Sequence, residues 1–259
     1  MFRAANPMSL INPGKIIRLN QSNGFSLIEM AIVLLILGLL LSGLLITIAN
    51  STSNGRRSMT EMQLEQIEEA LYGYAQAYGR LPCPATGASN GRASPEDGTA
   101  CNVSHGFLPA VTLGLSGSMN NDSLLLDAWQ NPYRYSVSTL AVAGNNAFTN
   151  ATGLTNLFAD MTQLTAANML RVCDISDCSG DIYTNLAPAV VISMGPNWAT
   201  FTSNNEIKNA GEAVLDGYPV TNTSDFVSAD YNEQSFDDQV VWLSPHVLIT
   251  RLIRAGRLP

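Results

Sequence analysis

The residue types able to do chemistry are few and scattered. There are four cysteines, Cys83, Cys101, Cys173 and Cys178, and two histidines, His105 and His246. The spacings C-x17-C and C-x4-C match no common zinc pattern, whose ligands sit in tighter pairs. In an exported chain thiols oxidise, and an even set of cysteines reads as two disulfides. The local pairs Cys83–Cys101 and Cys173–Cys178 are favoured over the other two connectivities, because short separations close loops at lower entropic cost. Between Cys173 and Asp181 the loop crowds in three acids, Asp174, Asp177 and Asp181. Oxygen ligands packed in a loop suit calcium, so these three are the calcium candidates. The spacing is not that of an EF-hand, and turn acids are commonly solvated. No other cofactor or metal is expected. Neither histidine lies in a catalytic motif, and the chain has no G-x-S-x-G, P-loop, dinucleotide fingerprint or H-E-x-x-H. Gly114-Leu115-Ser116-Gly117 reads as a glycine-rich turn rather than an esterase elbow. The expectation is a protein that is not an enzyme.

Glu29 is the most informative ionisable residue. It is the one such group in the run FSLIEMAIVLLILGLLLSGLLITI, residues 25–48. As a helix this run would be about 36 Å long at 1.5 Å per residue, enough to cross a hydrocarbon layer of about 30 Å. A carboxylate in such a span is costly and normally marks function. The polar leader before it ends in Gln21-Ser22-Asn23-Gly24, and the apolar run starts at once. An ordinary secretory signal has the reverse order, with small residues at a cleavage site after the apolar part. Here a cut after Gly24 would keep the apolar segment.

Charge agrees with export. The leader carries Arg3, Lys15 and Arg18 and no acid; removing these three from the thirteen basic residues leaves ten against 21 acidic ones, a net of −11. A basic start before an acidic body leaves the first residues in the cytoplasm and sends the rest across a membrane. The acidic body excludes nucleic acid as a partner, since phosphates would be repelled.

Gly24-Phe25-Ser26-Leu27-Ile28-Glu29, followed directly by the apolar run, resembles the class III signal of type IV prepilins and type II secretion pseudopilins. The resemblance implies cleavage of Gly24–Phe25 by a prepilin peptidase and N-methylation of Phe25. It also implies an assembly ion pair between Glu29 and the Phe25 amine of a neighbouring subunit. Two opposite charges buried together compensate each other, whereas either alone in a filament core would be costly. The implied partners are the peptidase, other pilin or pseudopilin subunits and an inner-membrane assembly platform. The implied location is a single pass through the inner membrane with the head in the periplasm, then a periplasmic or cell-surface filament. The alternative is a membrane-anchored adhesin or ligand-binding protein whose N-terminal helix only tethers it.

The remaining elements follow from this layout: leader 1–24, transmembrane and polymerisation helix 25–48, amphipathic half of the same helix 49–80, and head 81–259. Gly55 and the neighbouring asparagines predict a soft joint at residues 49–57. Leu64, Ile67, Leu71, Tyr74 and Tyr78 make a core-facing stripe, and Gly79 and Pro82 stop the helix. Residues 81–121 read as a long stapled loop. Asp127-Ala128-Trp129-Gln130-Asn131-Pro132-Tyr133-Arg134-Tyr135 resembles the D-x-W-G-N-P-Y-x-Y turn of pseudopilin heads, with Gln130 where the family has glycine and Trp129 read as core. Residues 138–165 show weak periodicity and are expected to be an insertion or variable loop. Residues 189–197 resemble the pseudopilin S-L-G segment, here Ser193-Met194-Gly195. Residues 236–243 predict a last strand. Ser244-Pro245 opens a C-terminal helix with Leu248, Ile249, Leu252 and Ile253 inward. Arg251, Arg254 and Arg257 are then placed to stabilise that helix's own negative end. The fold class is α+β: a long N-terminal helix packed on a small antiparallel sheet, closed by a C-terminal helix.

Overall fold

The computed structural model describes residues 26–198, 200, 203–210, 213–215, 218–220, 224–232 and 235–258, with backbone alone for 41–51, 213–215 and 218–220. The chain divides into two units, Met1–Ser51 and Thr52–Pro259. Helix α1 (Leu27–Tyr78) belongs to both and is unbroken through residues 49–57. The joint expected there does not interrupt the helix. One glycine costs about 1 kcal/mol in a helix, which the flanking turns override.

In the second unit the order after α1 is β1 (His105–Phe107), α2 (Ala110–Leu113), β2 (Arg134–Val137), β3 (Ala141–Val142), β4 (Asn145–Asn146), α3 (Ala151–Ala159) and a 3-10 turn (Met161–Gln163). Then come β5 (Leu170–Cys173), β6 (Ile182–Ala187), β7 (Ala189–Ser193), α4 (Asn204–Ala210), β8 (Ala213–Leu215), β9 (Tyr218–Val220), β10 (Asp225–Val227), β11 (Gln239–Trp242) and α5 (Pro245–Arg254). The main sheet is antiparallel with strand order β1-β2-β7-β11. A second sheet, β10-β5-β6, is mixed, because β10 runs parallel to β5. The unit is thus α+β as expected, with a second sheet and two small ladders, β3-β4 and β8-β9, beyond the one sheet the sequence suggested.

Strand β7 explains the layering. Its residues Ala189 and Val191 join one core with Leu64, Ile67, Leu71 and Ala75 of α1, Tyr133 and Tyr135 from the β2 segment, and Leu248 and Leu252 of α5. Val190 and Ile192 face the other way, into a second core with Leu170, Val172, Phe226 and Ala210. A strand covered on both faces needs no polar alternation, which is why it reads as an uninterrupted apolar run. Tyr74 is buried with the stripe, but Tyr78 is 60% exposed and lies with its ring 4.4 Å from that of Tyr74. Gly79 ends α1 at φ +69°, donating its N–H to Ala75 O at 2.7 Å, a left-handed cap that costs glycine little.

Residues 138–165 are not a peripheral loop. Phe148, Leu154 and Leu157 belong to the main core. Asn150 caps α3 through its side chain, which accepts from Thr152 and Gly153 N–H. Short elements mixed with small polar residues hide such burial from any periodicity test. Two inward assignments also change: Trp129 is half-buried and sits in neither core, and Ile253 is 43% exposed. Residues 81–121 hold β1 and α2 within the expected loop.

Arg251 and Arg257 act on α1 rather than on the end of the C-terminal helix. Arg251 makes a two-pronged pair with Glu69, both contacts at 2.6 Å, and lies 4.5 Å over the Tyr72 ring. Arg257 donates to Gln76 O at 2.9 Å and to Ala77 O, satisfying carbonyls that the end of α1 leaves open. Ser244 caps α5, its Oγ accepting from Val247 N–H at 3.5 Å, with Pro245 in the first turn.

Candidate functional site

The site picked out by sequence is the start of α1. Its first described bond is Met30 N–H to Ser26 O at 3.1 Å. The Glu29 carboxylate lies in the first turn and accepts from Ser26 N–H at 3.5 Å, where it also meets the positive end of the helix dipole. Gly24 and Phe25, and with them the cleavage bond, the methylated amine and the ion pair, lie outside the described residues. Every side chain from residue 26 to 40 is exposed, Leu27 to 92%. Leucine, isoleucine and valine therefore crowd all sides of this stretch around one carboxylate. Apolar surface on that scale is unfavourable in water and calls for a lipid or protein cover. Among the described residues no helix is long and apolar enough to cross a membrane; the side chains of 41–51, which complete the run, lie outside them.

In the second unit two of the segments singled out by sequence prove to be bonded to each other. Asp127 Oδ1 accepts from Trp129 N–H at 2.8 Å and Asn131 N–H at 2.9 Å, folding the turn. Its Oδ2 accepts from Ser193 Oγ at 2.6 Å, and Asn131 Nδ2 donates to Gly195 O at 2.5 Å. Burial pushes the Asp127 carboxyl up, with the bonds from Ser193 Oγ and from the Asn131, Trp129 and Gln130 N–H groups working against it. Gln130 sits at φ +71°, a left-handed conformation that suits glycine, so the turn keeps its geometry without the expected residue. The arrangement is a structural clamp.

The acids at the loop after β5 are placed otherwise. Cys173–Cys178 and Cys83–Cys101 are both disulfides, so no thiolate is left for zinc. Asp177 Oδ1 accepts from Ser179 N–H at 3.0 Å, which holds its carboxyl below the usual range. Asp174 is pressed against Gly180, where an added Cβ would fall 2.4 Å from Oδ1, and Asp181 is exposed. Among the described residues no group of three or more His, Cys, Asp or Glu side chains is set to hold a metal, so Asp174, Asp177 and Asp181 do not assemble into a calcium site there.

Sequence reasoning missed a buried polar cluster around α4. Glu206, Asn209, Asp237 and Asp238 are all buried. Asn209 Nδ2 donates to Asp238 Oδ2 at 2.8 Å, and Asn197 Nδ2 donates to Glu206 Oε1 at 2.9 Å. Burial raises Asp238 well above the carboxylate range, with Asp237 and Glu206 adding to the effect. These residues come from three separated segments, and no local pattern marks them. His105 lies in β1 rather than in a loop, with its pKa lowered to about 4 by desolvation and then by Arg134. His246 is exposed on α5. Among the described residues the buried His105 Nδ1 has no hydrogen-bond partner.

Comparison with known proteins decides one point. Residues 19–45 match the prokaryotic N-terminal methylation motif. This is the class III signal of type IV pilins and pseudopilins. The match covers the residues just before α1 and the first part of that helix, and supports a pilin- or pseudopilin-like precursor; the α+β architecture is consistent with a pilin-like fold. No curated protein and no solved structure matches the chain.

Proposed function

We propose that the chain is a prepilin, cut between Gly24 and Phe25 by a prepilin peptidase, N-methylated at Phe25, and built into a type IV pilus or type II secretion pseudopilus as a minor subunit. The observation that carries this reading is the methylation motif at residues 19–45 running into an exposed apolar stretch with Glu29 as its one carboxylate. Before assembly the inner membrane covers that stretch and the head stands in the periplasm, where the two disulfides are at home. After assembly other pilin or pseudopilin subunits, delivered through an inner-membrane platform, replace the lipid. Glu29 then neutralises the Phe25 amine of a neighbour, which ties register to one ion pair.

Intact mass and N-terminal sequencing of the membrane-extracted protein, from cells with and without prepilin peptidase, test the first step. The expected product starts at N-methyl-Phe25 and appears only with the peptidase. A chain still starting at Met1 in both strains overturns the reading. Glu29→Ala tests the second step: it is expected to be cleaved normally yet to stay in the membrane fraction, whereas a helix that serves as a tether alone would not register the change.

A further inference from the structure

We propose that the head carries a binding groove for an uncharged, hydroxyl-rich ligand, a neutral oligosaccharide, running from the Cys83–Cys101 loop past His105 to the Arg171–Asp225 pair. A cavity of about 500 Å³ opens beside the loop that ends at Ser104 and His105, against Val137 and Thr139. A second, of about 290 Å³, shares those four residues and continues to Asn168, Leu170 and Ser224. A third, of about 230 Å³, shares Ser224 and ends at Arg171 and Asp225. Common walls make the three one trough, within the size range of ligand sites.

Its backbone is held in place. Val137 N–H donates to Ser104 O at 2.9 Å, Thr139 N–H to Asn168 O at 3.1 Å, and Arg171 N–H to Ser224 O at 2.7 Å. The hydroxyls of Ser104, Thr139 and Ser224 stand on that fixed frame, unengaged by the described residues. A preformed wall spares the ligand the cost of ordering it.

The lining selects the ligand class. Among the described lining residues the one cation, Arg171, is taken by Asp225 at 2.9 and 2.8 Å, which also holds Lys208 at 3.7 Å, so an anionic sugar or phosphate competes with Asp225 for its counter-charge and meets an acidic protein. His105 stays uncharged near neutral pH, because burial holds its pKa at about 4. An acyl chain would need a continuous apolar wall, whereas Val137 and Leu170 are buried in the cores beneath and the accessible lining is hydroxyls and carboxamides, among them Asn102, Ser104, Thr139 and Asn168. A peptide strand would need an open edge, and β1 and β10 are each covered at one residue of theirs. Ala85 exchanges two backbone bonds with Phe107 at 2.9 and 2.8 Å. The Asn209 carboxamide imitates a strand against Val227, accepting at 2.7 Å and donating at 2.9 Å.

The test uses the detergent-solubilised full chain on an array of immobilised neutral oligosaccharides, their sialylated counterparts and an uncharged Ser/Ala peptide. Saturable binding to at least one neutral glycan is expected. Thr139→Trp, which fills the trough, is expected to weaken it at least about tenfold, and Ser104→Ala to weaken it while leaving the unfolding temperature unchanged, which keeps the test decisive if the larger substitution disturbs folding. No neutral glycan bound, a preference for the sialylated forms or the peptide, or a Ser104→Ala variant that binds like wild type would each overturn the proposal. Binding does not depend on assembly, and Glu29→Ala should leave it intact.

Discussion

Gly153 offers a sharp test of the packing between α3 and the β3–β4 hairpin, because the helix and the contact pull in opposite directions. A glycine in a helix normally costs about 1 kcal/mol relative to alanine, so Gly153→Ala would be expected to stabilise an isolated α3. In the folded unit a Cβ at 153 would fall 2.0 Å from Asn146 O and 2.7 Å from its carbonyl carbon. That obstacle is backbone, and it cannot swing away. Asn146 is itself pinned, its Oδ1 accepting from Phe148 and Thr149 N–H at 2.9 Å each and its Nδ2 donating to Ser138 O at 2.8 Å. Relief requires α3 to move by roughly 1 Å, which loosens Leu154 and Leu157 in a close-packed core. Overpacking costs about 1–3 kcal/mol, at the upper end when backbone must shift; after the helical gain the net loss is about 2 kcal/mol. For a unit of this size that lowers the unfolding temperature by about 4–8 °C. Urea and thermal unfolding of the full chain in detergent measure it, with the exposed Thr152→Ala as a control expected to stay within about 0.5 kcal/mol. A Gly153→Ala protein as stable as wild type, or more so, would refute the close approach of α3 to β4.

Other substitutions probe other links. The Arg251–Glu69 pair is exposed on the Glu69 side, so a double-mutant cycle with alanine at both sites should give a coupling of about 0.5–1 kcal/mol that shrinks in high salt. His105 titrates near 6.5 when unfolded and at about 4 when folded. Between those values the unfolded chain binds the extra proton, so stability contributed by the neutral ring is complete above pH 6.5 and falls by about 3 kcal/mol as pH drops to 4. Urea unfolding should show wild type losing about that much more stability than His105→Gln between pH 7 and pH 4. Removing the Cys83–Cys101 bridge, which closes a separation of 18 residues, with Cys83→Ala and Cys101→Ala together should cost about 3 kcal/mol, read as a lower urea midpoint.

The features legible in the sequence are the local ones. Glu29 stands out because one carboxylate in an apolar run needs no fold to be conspicuous, and its distance from Gly24 is a matter of counting. The stripe from Leu64 to Tyr74, the Gly79 stop, the Ser244-Pro245 start and the short-range cysteine pairs are all set by neighbours within a few turns or one loop, where spacing maps directly onto geometry.

What the tertiary structure alone decided are relations between distant segments. Arg251 and Arg257 looked like servants of their own helix dipole until α1 was laid beside them, offering Glu69 and open carbonyls. Residues 138–165 carried too few apolar positions in too short elements to show a period, yet they close the main core. Asn209 could not be read as a stand-in for a strand, nor Ser104, Thr139 and Ser224 as one wall, because each belongs to a different stretch of chain. Their proximity is produced by sheet pairing and layer packing, which depend on contacts summed over the whole unit rather than on the pattern around any one residue.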